Sequence, residues 1–177
     1  MTQRTIKVVP YNPVWVKAFE LEKQLLQSSI KHNIIDKIHH IGSTSVLGLS
    51  AKPIIDILLE TNDLAKLDKY ANRFEDLGYK VMGEYGIQGR RFYLKGGNNR
   101  THHIHAFEVG DTNIMRHLAF RDYLKVFDEV RMQYEALKLH LAKTCHNDIN
   151  IYCDGKYAFI QEHEAKALIW KKEQNAN

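Results

Sequence analysis

Two cysteines, Cys145 and Cys153, are too few to give a chain of 177 residues a disulfide framework. The expected setting is therefore a reducing cytoplasm. No apolar run approaches the roughly 18 residues of a spanning helix, and the N-terminus has no hydrophobic signal segment, so no membrane attachment is expected. A net charge of only +4, with no basic stripe, argues against a dedicated nucleic-acid binder. Common catalytic signatures are also missing. Ser43 and Ser45 are not in a G-x-S-x-G elbow, and the Gly42-Ser43 turn lacks the G-x-x-x-x-G-K-[ST] spacing of a Walker A loop. Cys145-His146 with Cys153 and His163 lacks the spacing of a zinc set.

What is present has the bulk composition of an ordinary globular protein, 44% hydrophobic and 26% charged, and a length that suits one domain over residues 1–177. The stretch 37–60 organises the rest. It opens with Ile38 and Ile41 around His39-His40, breaks at Gly42-Ser43-Thr44-Ser45, passes Gly48, Lys52 and Pro53, and enters a second apolar run from Ile54 to Leu59. These runs read as two buried strands. The small-residue turn between them would bring backbone N–H groups and hydroxyls close to an anion. Asp56 interrupts the second strand, and a carboxylate buried there costs several kcal/mol unless donors or a cation satisfy it.

The remaining chain supplies layers for these strands. Thr5 to Val9 is β-prone. Asn12-Pro13 opens a helix with Trp15, Ala18, Phe19, Leu25, Leu26 and Ile30 at helical spacing and Glu22 as its polar break. Asn62 or Asp63 caps a helix through Leu64, Leu67, Ala71 and Phe74 that ends at Gly78. Tyr79 to Met82 reads as a strand and residues 83–89 as a loop. Arg90–Lys95 and Arg100–Glu108 read as strands flanking the hairpin turn 96–99. Helices follow over Ile114–Phe127, Asp128–Lys143 and Lys156–Lys172. The expectation is an α/β fold: a mixed sheet packed with helices and a helical C-terminal third.

Alternation along strands selects the candidate chemistry. Asp56 shares a face with Ile54, Leu58 and Glu60, while His103 and His105 share one with Phe107. Asp56, His103 and His105 would form either a two-histidine, one-carboxylate site for a single divalent ion or a dry hydrogen-bonded patch. Lys52 in the loop and Arg91 in its strand are candidate phosphate partners. Arg90 and Arg100 are expected to solvate strand ends, and Arg121-Asp122 to be either an internal ion pair or a ligand contact. Tyr123, Tyr134, Tyr152 and Tyr157 read mostly as core.

Val9-Pro10-Tyr11-Asn12-Pro13 with Trp15 and Phe19, His40-Ile41-Gly42-Ser43-Thr44-Ser45-Val46, Gly48-Leu49, Lys52-Pro53-Ile54-Ile55-Asp56, His103-Ile104-His105 and Phe120-Arg121-Asp122-Tyr123-Leu124 together resemble the GrpB family. The resemblance covers nearly the whole chain. That family is similar to the nucleotidyltransferase superfamily, in which a Gly-Ser turn precedes a strand bearing an Asp-x-Asp pair. It implies a nucleotidyltransferase-like fold that binds a nucleotide or other phosphorylated small molecule. Gly42, Ser43 and Ser45 would contact the phosphates, with Lys52 and Arg91 balancing their charge. Asp56 takes the second position of the pair, but Ile54 stands at the first and cannot bind metal. Histidines occupy the face where a third carboxylate is expected, and they suit Zn, Mn or Fe better than Mg. The implied activity is metal-assisted nucleotidyl or phosphoryl transfer through Asp56, His103 and His105. The alternatives are an inactive ligand-binding or regulatory module and a single-metal His/Asp hydrolase.

Overall fold

The computed structural model of the protein describes residues 5–176. Helix α1 (Val14–Ser29) starts where Asn12 Oδ1 accepts the Val14 N–H at 3.0 Å, next to Pro13, which has no N–H to lose. Its stripe of Trp15, Phe19 and Leu26 is buried on the sheet, each side chain stabilising by about 1.5–3 kcal/mol. Glu22 stands inside that stripe at 4% exposure. It is satisfied by Tyr79 Oη at 2.8 Å and by Lys95 Nζ at 2.9 Å.

Strand β1 (Ile35–Ile41) runs into a single 3-10 turn, Ser43–Ser45, and then to β2 (Ile55–Thr61). Asp63 caps α2 (Leu64–Asp68) by accepting the Lys66 N–H. The sequence predicts one helix from here to Gly78, but there are two. Short-range bonds from Lys69 N–H to the Lys66 carbonyl and from Tyr70 N–H to the Leu67 carbonyl tighten the chain before α3 (Ala71–Asp76). There follow β3 (Tyr79–Val81), β4 (Arg91–Lys95), β5 (His102–Glu108), α4 (Thr112–Val126), α5 (Asp128–Thr144) and α6 (Ile149–Ala176). Helix α6 thus begins at Ile149 instead of Lys156. In the β-prone segment from Thr5, Val9 makes an isolated bridge to Ala51.

Among the described residues the strands form a five-stranded sheet in the order β1-β2-β5-β4-β3. β2 and β5 are parallel, and the other neighbours are antiparallel. The result is a mixed α/β fold with a helical C-terminal region. One sheet face, bearing Ile55, Ile57, Leu59, Tyr93, Ile104 and Ala106, packs with α1, Leu67 of α2 and Phe74 of α3. The other face carries Ile41, Leu58 and Phe107 against Ile114 of α4. Among the described residues no helix is long and apolar enough to cross a membrane.

Candidate functional site

Parallel pairing sets Asp56 beside His103 and Leu58 beside His105, so the aspartate and both imidazoles lie on the face toward α4. His103 Nδ1 is 3.2 Å from Asp56 Oδ1, and His105 Nε2 is 3.8 Å from the same oxygen. Burial raises the Asp56 pKa, but hydrogen bonds and charge from His103 and His105 outweigh it and hold the carboxyl below the usual range. Burial lowers His105 despite the nearby carboxylate.

The turn beneath this cluster is fastened from inside. Thr44 Oγ1 donates to the Ile54 carbonyl at 3.2 Å and takes a hydrogen bond from His40 Nε2 at 3.0 Å. His40, stacked on Phe19, is lowered to about 4 by burial and serves as a neutral strut. Ser43 faces the cleft beside the Tyr134 hydroxyl. Ser45 departs from expectation: its hydroxyl donates to the Gly42 carbonyl at 2.6 Å, closing its own turn instead of facing a ligand.

Neither of the two neighbouring arginines takes the role expected of it. Arg91 pairs with Ala106 on the opposite sheet face and forks onto Asp68 at 2.7 and 2.9 Å, so it is no phosphate partner in this cleft. Alternation is the reason, since Phe92 takes the position across from His105. Arg90 is 7% exposed and does not solvate a strand end. Its Nε and Nη2 donate to the carbonyls of Glu84 and Tyr85 at 3.1 and 2.6 Å. The guanidinium covers the Phe92 ring at 4.5 Å and reaches His105 Nδ1 with Nη1 at 3.4 Å.

The cleft has two lobes that share Gly42, Ser43, Asp56, His105, Tyr134 and Lys156. The first, about 260 Å³, gathers Lys52, Lys138 and Lys156 with His103. Lys52 and Lys156 lie on the Tyr152 ring at 4.8 and 4.6 Å, and Lys138 lies on Tyr134 at 4.8 Å. Aromatic faces attract these ammonium groups without neutralising them. Lys138 also donates to the Ser50 carbonyl, while Glu135 Oε1 accepts the Ser50 N–H at 2.8 Å, so α5 grips the loop at both backbone groups. Burial, with Lys156 nearby, brings Lys138 down to about 7.

The second lobe, about 310 Å³, has apolar walls from Ile41, Phe120, Leu124 and Ile160. Its two arginines are matched: Arg116 meets Glu164 at 2.8 Å and Arg121 meets Asp122 at 2.7 Å. Arg121 additionally donates to the His40 carbonyl at 3.2 Å, so it is both an internal pair and part of the cleft wall. Burial, His105 and Arg116 push His117 well below its ordinary value.

Lys138, Lys156, His117, Arg90 and Tyr134 escape a reading of motifs alone. A signal does exist: Lys138 and Lys156 each fall one helical turn after a tyrosine of the buried stripe, Tyr134 and Tyr152. The candidate ligand atoms of Asp56, His103 and His105 all lie within 4.8 Å of one another. An ion bonded at about 2.1 Å would draw such atoms to roughly 3.0–3.4 Å, so their spacing admits one divalent ion after a small contraction.

This arrangement has relatives. The family model described as GrpB protein matches residues 5–166. YqkA of Bacillus subtilis is 42% identical over 98% of this chain, which spans 50% of the length of YqkA. The glutamate-rich protein GrpB of Alkalihalophilus pseudofirmus is 34% identical, with 88% of this chain and 91% of that protein covered. The crystal structure of conserved protein GrpB from Enterococcus faecalis superposes with a TM-score of 0.89 at 43% identity, covering 93% of this chain and 99% of that one. The chain belongs to the GrpB family.

Proposed function

We propose that the cleft binds a nucleotide or similar phosphorylated metabolite and supports nucleotidyl or phosphoryl transfer in a nucleotidyltransferase-like manner. The carrying observation is the lobe in which Lys52, Lys138 and Lys156 converge across from Asp56 and His103. A polyphosphate entering this lobe meets three lysine amines on one wall, and those that are protonated give it charge-assisted hydrogen bonds. The uncharged organic body lies in the second lobe, whose apolar walls and matched ion pairs suit it. Ser43 replaces the expected pair of hydroxyls, and Lys138 and Lys156 replace Arg91. The Gly42-Ser43 turn leading to a strand with Asp56 supports the superfamily reading. Ile54 at the other carboxylate position argues against ordinary two-metal transfer. Asp56, His103 and His105 therefore act either around one divalent ion, which would polarise a phosphoryl oxygen, or as an acid–base cluster.

The test is binding of inorganic pyrophosphate and ATP, read by thermal shift and by protection of Cys153. That thiol is exposed and lines the lysine lobe, whereas Cys145 is buried. Ligand at about 100 times its dissociation constant should stabilise the fold by about 2.7 kcal/mol and slow labelling of Cys153. Lys156→Ala should weaken binding about tenfold or more, which at the same ligand concentration removes roughly 1.4 kcal/mol of that stabilisation. No shift and no protection by either compound would refute phosphate binding here.

Affinity should also depend on pH. The Lys138 amine titrates at about 7 in the folded chain against 10.5 for the free side chain, so it loses its charge as pH rises through neutrality. Pyrophosphate binding should weaken from about pH 6 to about pH 8 more steeply in wild type than in Lys138→Met, by up to about tenfold per unit. Comparison with the variant cancels the titration of the ligand itself. The same linkage makes wild-type stability rise as pH goes from about 7 to 10.5, because there the unfolded chain holds the extra proton. Parallel pH profiles for wild type and Lys138→Met would remove Lys138 from the site.

A further inference from the structure

We infer that Arg90 is a positioning residue that sets the proton of His105 and thereby makes the cluster a metal-independent aspartate–histidine pair. This deepens the transfer reading and rests on it only for the choice between ion and acid–base chemistry.

A guanidinium has donors and no acceptor. Where Arg90 Nη1 approaches His105 Nδ1, at 3.4 Å, the imidazole nitrogen must accept. Arg90 has little freedom to turn away. Two carbonyls hold its Nε and Nη2, and Phe92 supports its plane. With Nδ1 accepting, the neutral ring of His105 carries its hydrogen on Nε2, the nitrogen that faces Asp56 Oδ1 at 3.8 Å. That edge then presents a donor to the carboxylate and has no lone pair for an ion. Spacing therefore admits a metal at this cluster, but the hydrogen-bond pattern opposes one.

The other imidazole is arranged differently. His103 turns Nδ1 to Asp56 at 3.2 Å, which fixes that nitrogen as the donor and leaves Nε2 as its outer edge. His103 lines the lysine lobe and packs edge-on against Phe92, so its plane is set by the same ring that carries Arg90. Asp56 Oδ1 thus takes one hydrogen bond, from His103, while the N–H edge of His105 points at it from 3.8 Å. Arg90 thus fixes the hydrogen on His105, Asp56 and Phe92 position His103, and His103 Nε2 is the base available to a hydroxyl entering beside the phosphates.

Nitrogen NMR of isotope-labelled histidine in the wild-type protein, near pH 7.5, reads the tautomers directly. Assignment comes from His105→Gln and His103→Gln. The expected result is His105 with Nε2 protonated and Nδ1 bare, and His103 with Nδ1 protonated. In Arg90→Met the His105 tautomers should mix, and zinc or manganese should bind at least about tenfold more tightly than to wild type. A wild-type His105 protonated on Nδ1, or on both nitrogens, would overturn the inference. So would Arg90→Met with an unchanged tautomer, because any gain in metal affinity would then come from removing a positive charge. If Arg90→Met does not fold, the wild-type spectrum decides alone. Pyrophosphate binding to wild type, measured separately, tells failure of this inference from failure of the phosphate reading.

Discussion

Replacing Gly42 by alanine should unfold the site and much of the stability with it. Gly42 has φ of 71° and ψ of −178°, a region that side-chain-bearing residues hardly populate, at a cost of about 1–3 kcal/mol. A Cβ there would lie 2.5 Å from Asp56 Oδ2 and 3.0 Å from Asp56 Cβ. The carboxylate would have to rotate, and its hydrogen bond from His103 would go with it. Strain and overpacking together should cost about 3 kcal/mol or more. Urea denaturation gives the stability change, and Cys153 protection reports whether the phosphate lobe survives. A variant within about 0.5 kcal/mol of wild type, with ligand protection intact, would show that the turn is not packed against Asp56 in this way.

The other large effect lies on the far side of the sheet. Glu22→Ala strips the partner from Lys95, whose side chain is 23% exposed, and from the buried Tyr79 hydroxyl. The expected loss is about 3–5 kcal/mol, or a melting temperature lower by roughly 10 °C. Pairing it with Lys95→Met should recover part of that loss, since the orphaned charge then disappears. His102 Nε2 lies 3.7 Å from Glu22 Oε2 and is too far to replace Lys95. A single variant as stable as wild type, or a double variant no better than Glu22→Ala, would mean that water reaches Lys95 freely.

Much of this was legible in residues and spacing. The Gly42-Ser43 turn, Asp56 and the parity of His103 and His105 place three polar groups that the parallel β2–β5 pairing then brings together. Parity alone could not say which strands are neighbours. It also could not settle Arg90 and Arg91, because their fates depend on where β4 starts: one residue of shift exchanges the buried guanidinium for the one on Asp68. The lysines were hidden for another reason. Lys138 and Lys156 sit on helices whose polar residues usually face water, and only packing of α5 and α6 on the loop at Ser50 turns them inward. Glu22 was visible as a break in an apolar stripe, but its partners come from β3 and β4, far along the chain.

The parallel pairing at the centre of the sheet also has a consequence for synthesis. Asp56 and His103 are 47 positions apart, and β2 can form its antiparallel ladder with β1 long before β5 has been made. Until His102–Glu108 emerges, the other edge of β2 is an open row of backbone donors and acceptors beside Ile55, Ile57 and Leu59. Closing that edge spans a long loop and is entropically slow compared with local pairing. The event that removes the sticky edge is also the event that seats His103 on Asp56. A nascent chain that has protected itself from aggregation has, in the same step, assembled its chemistry.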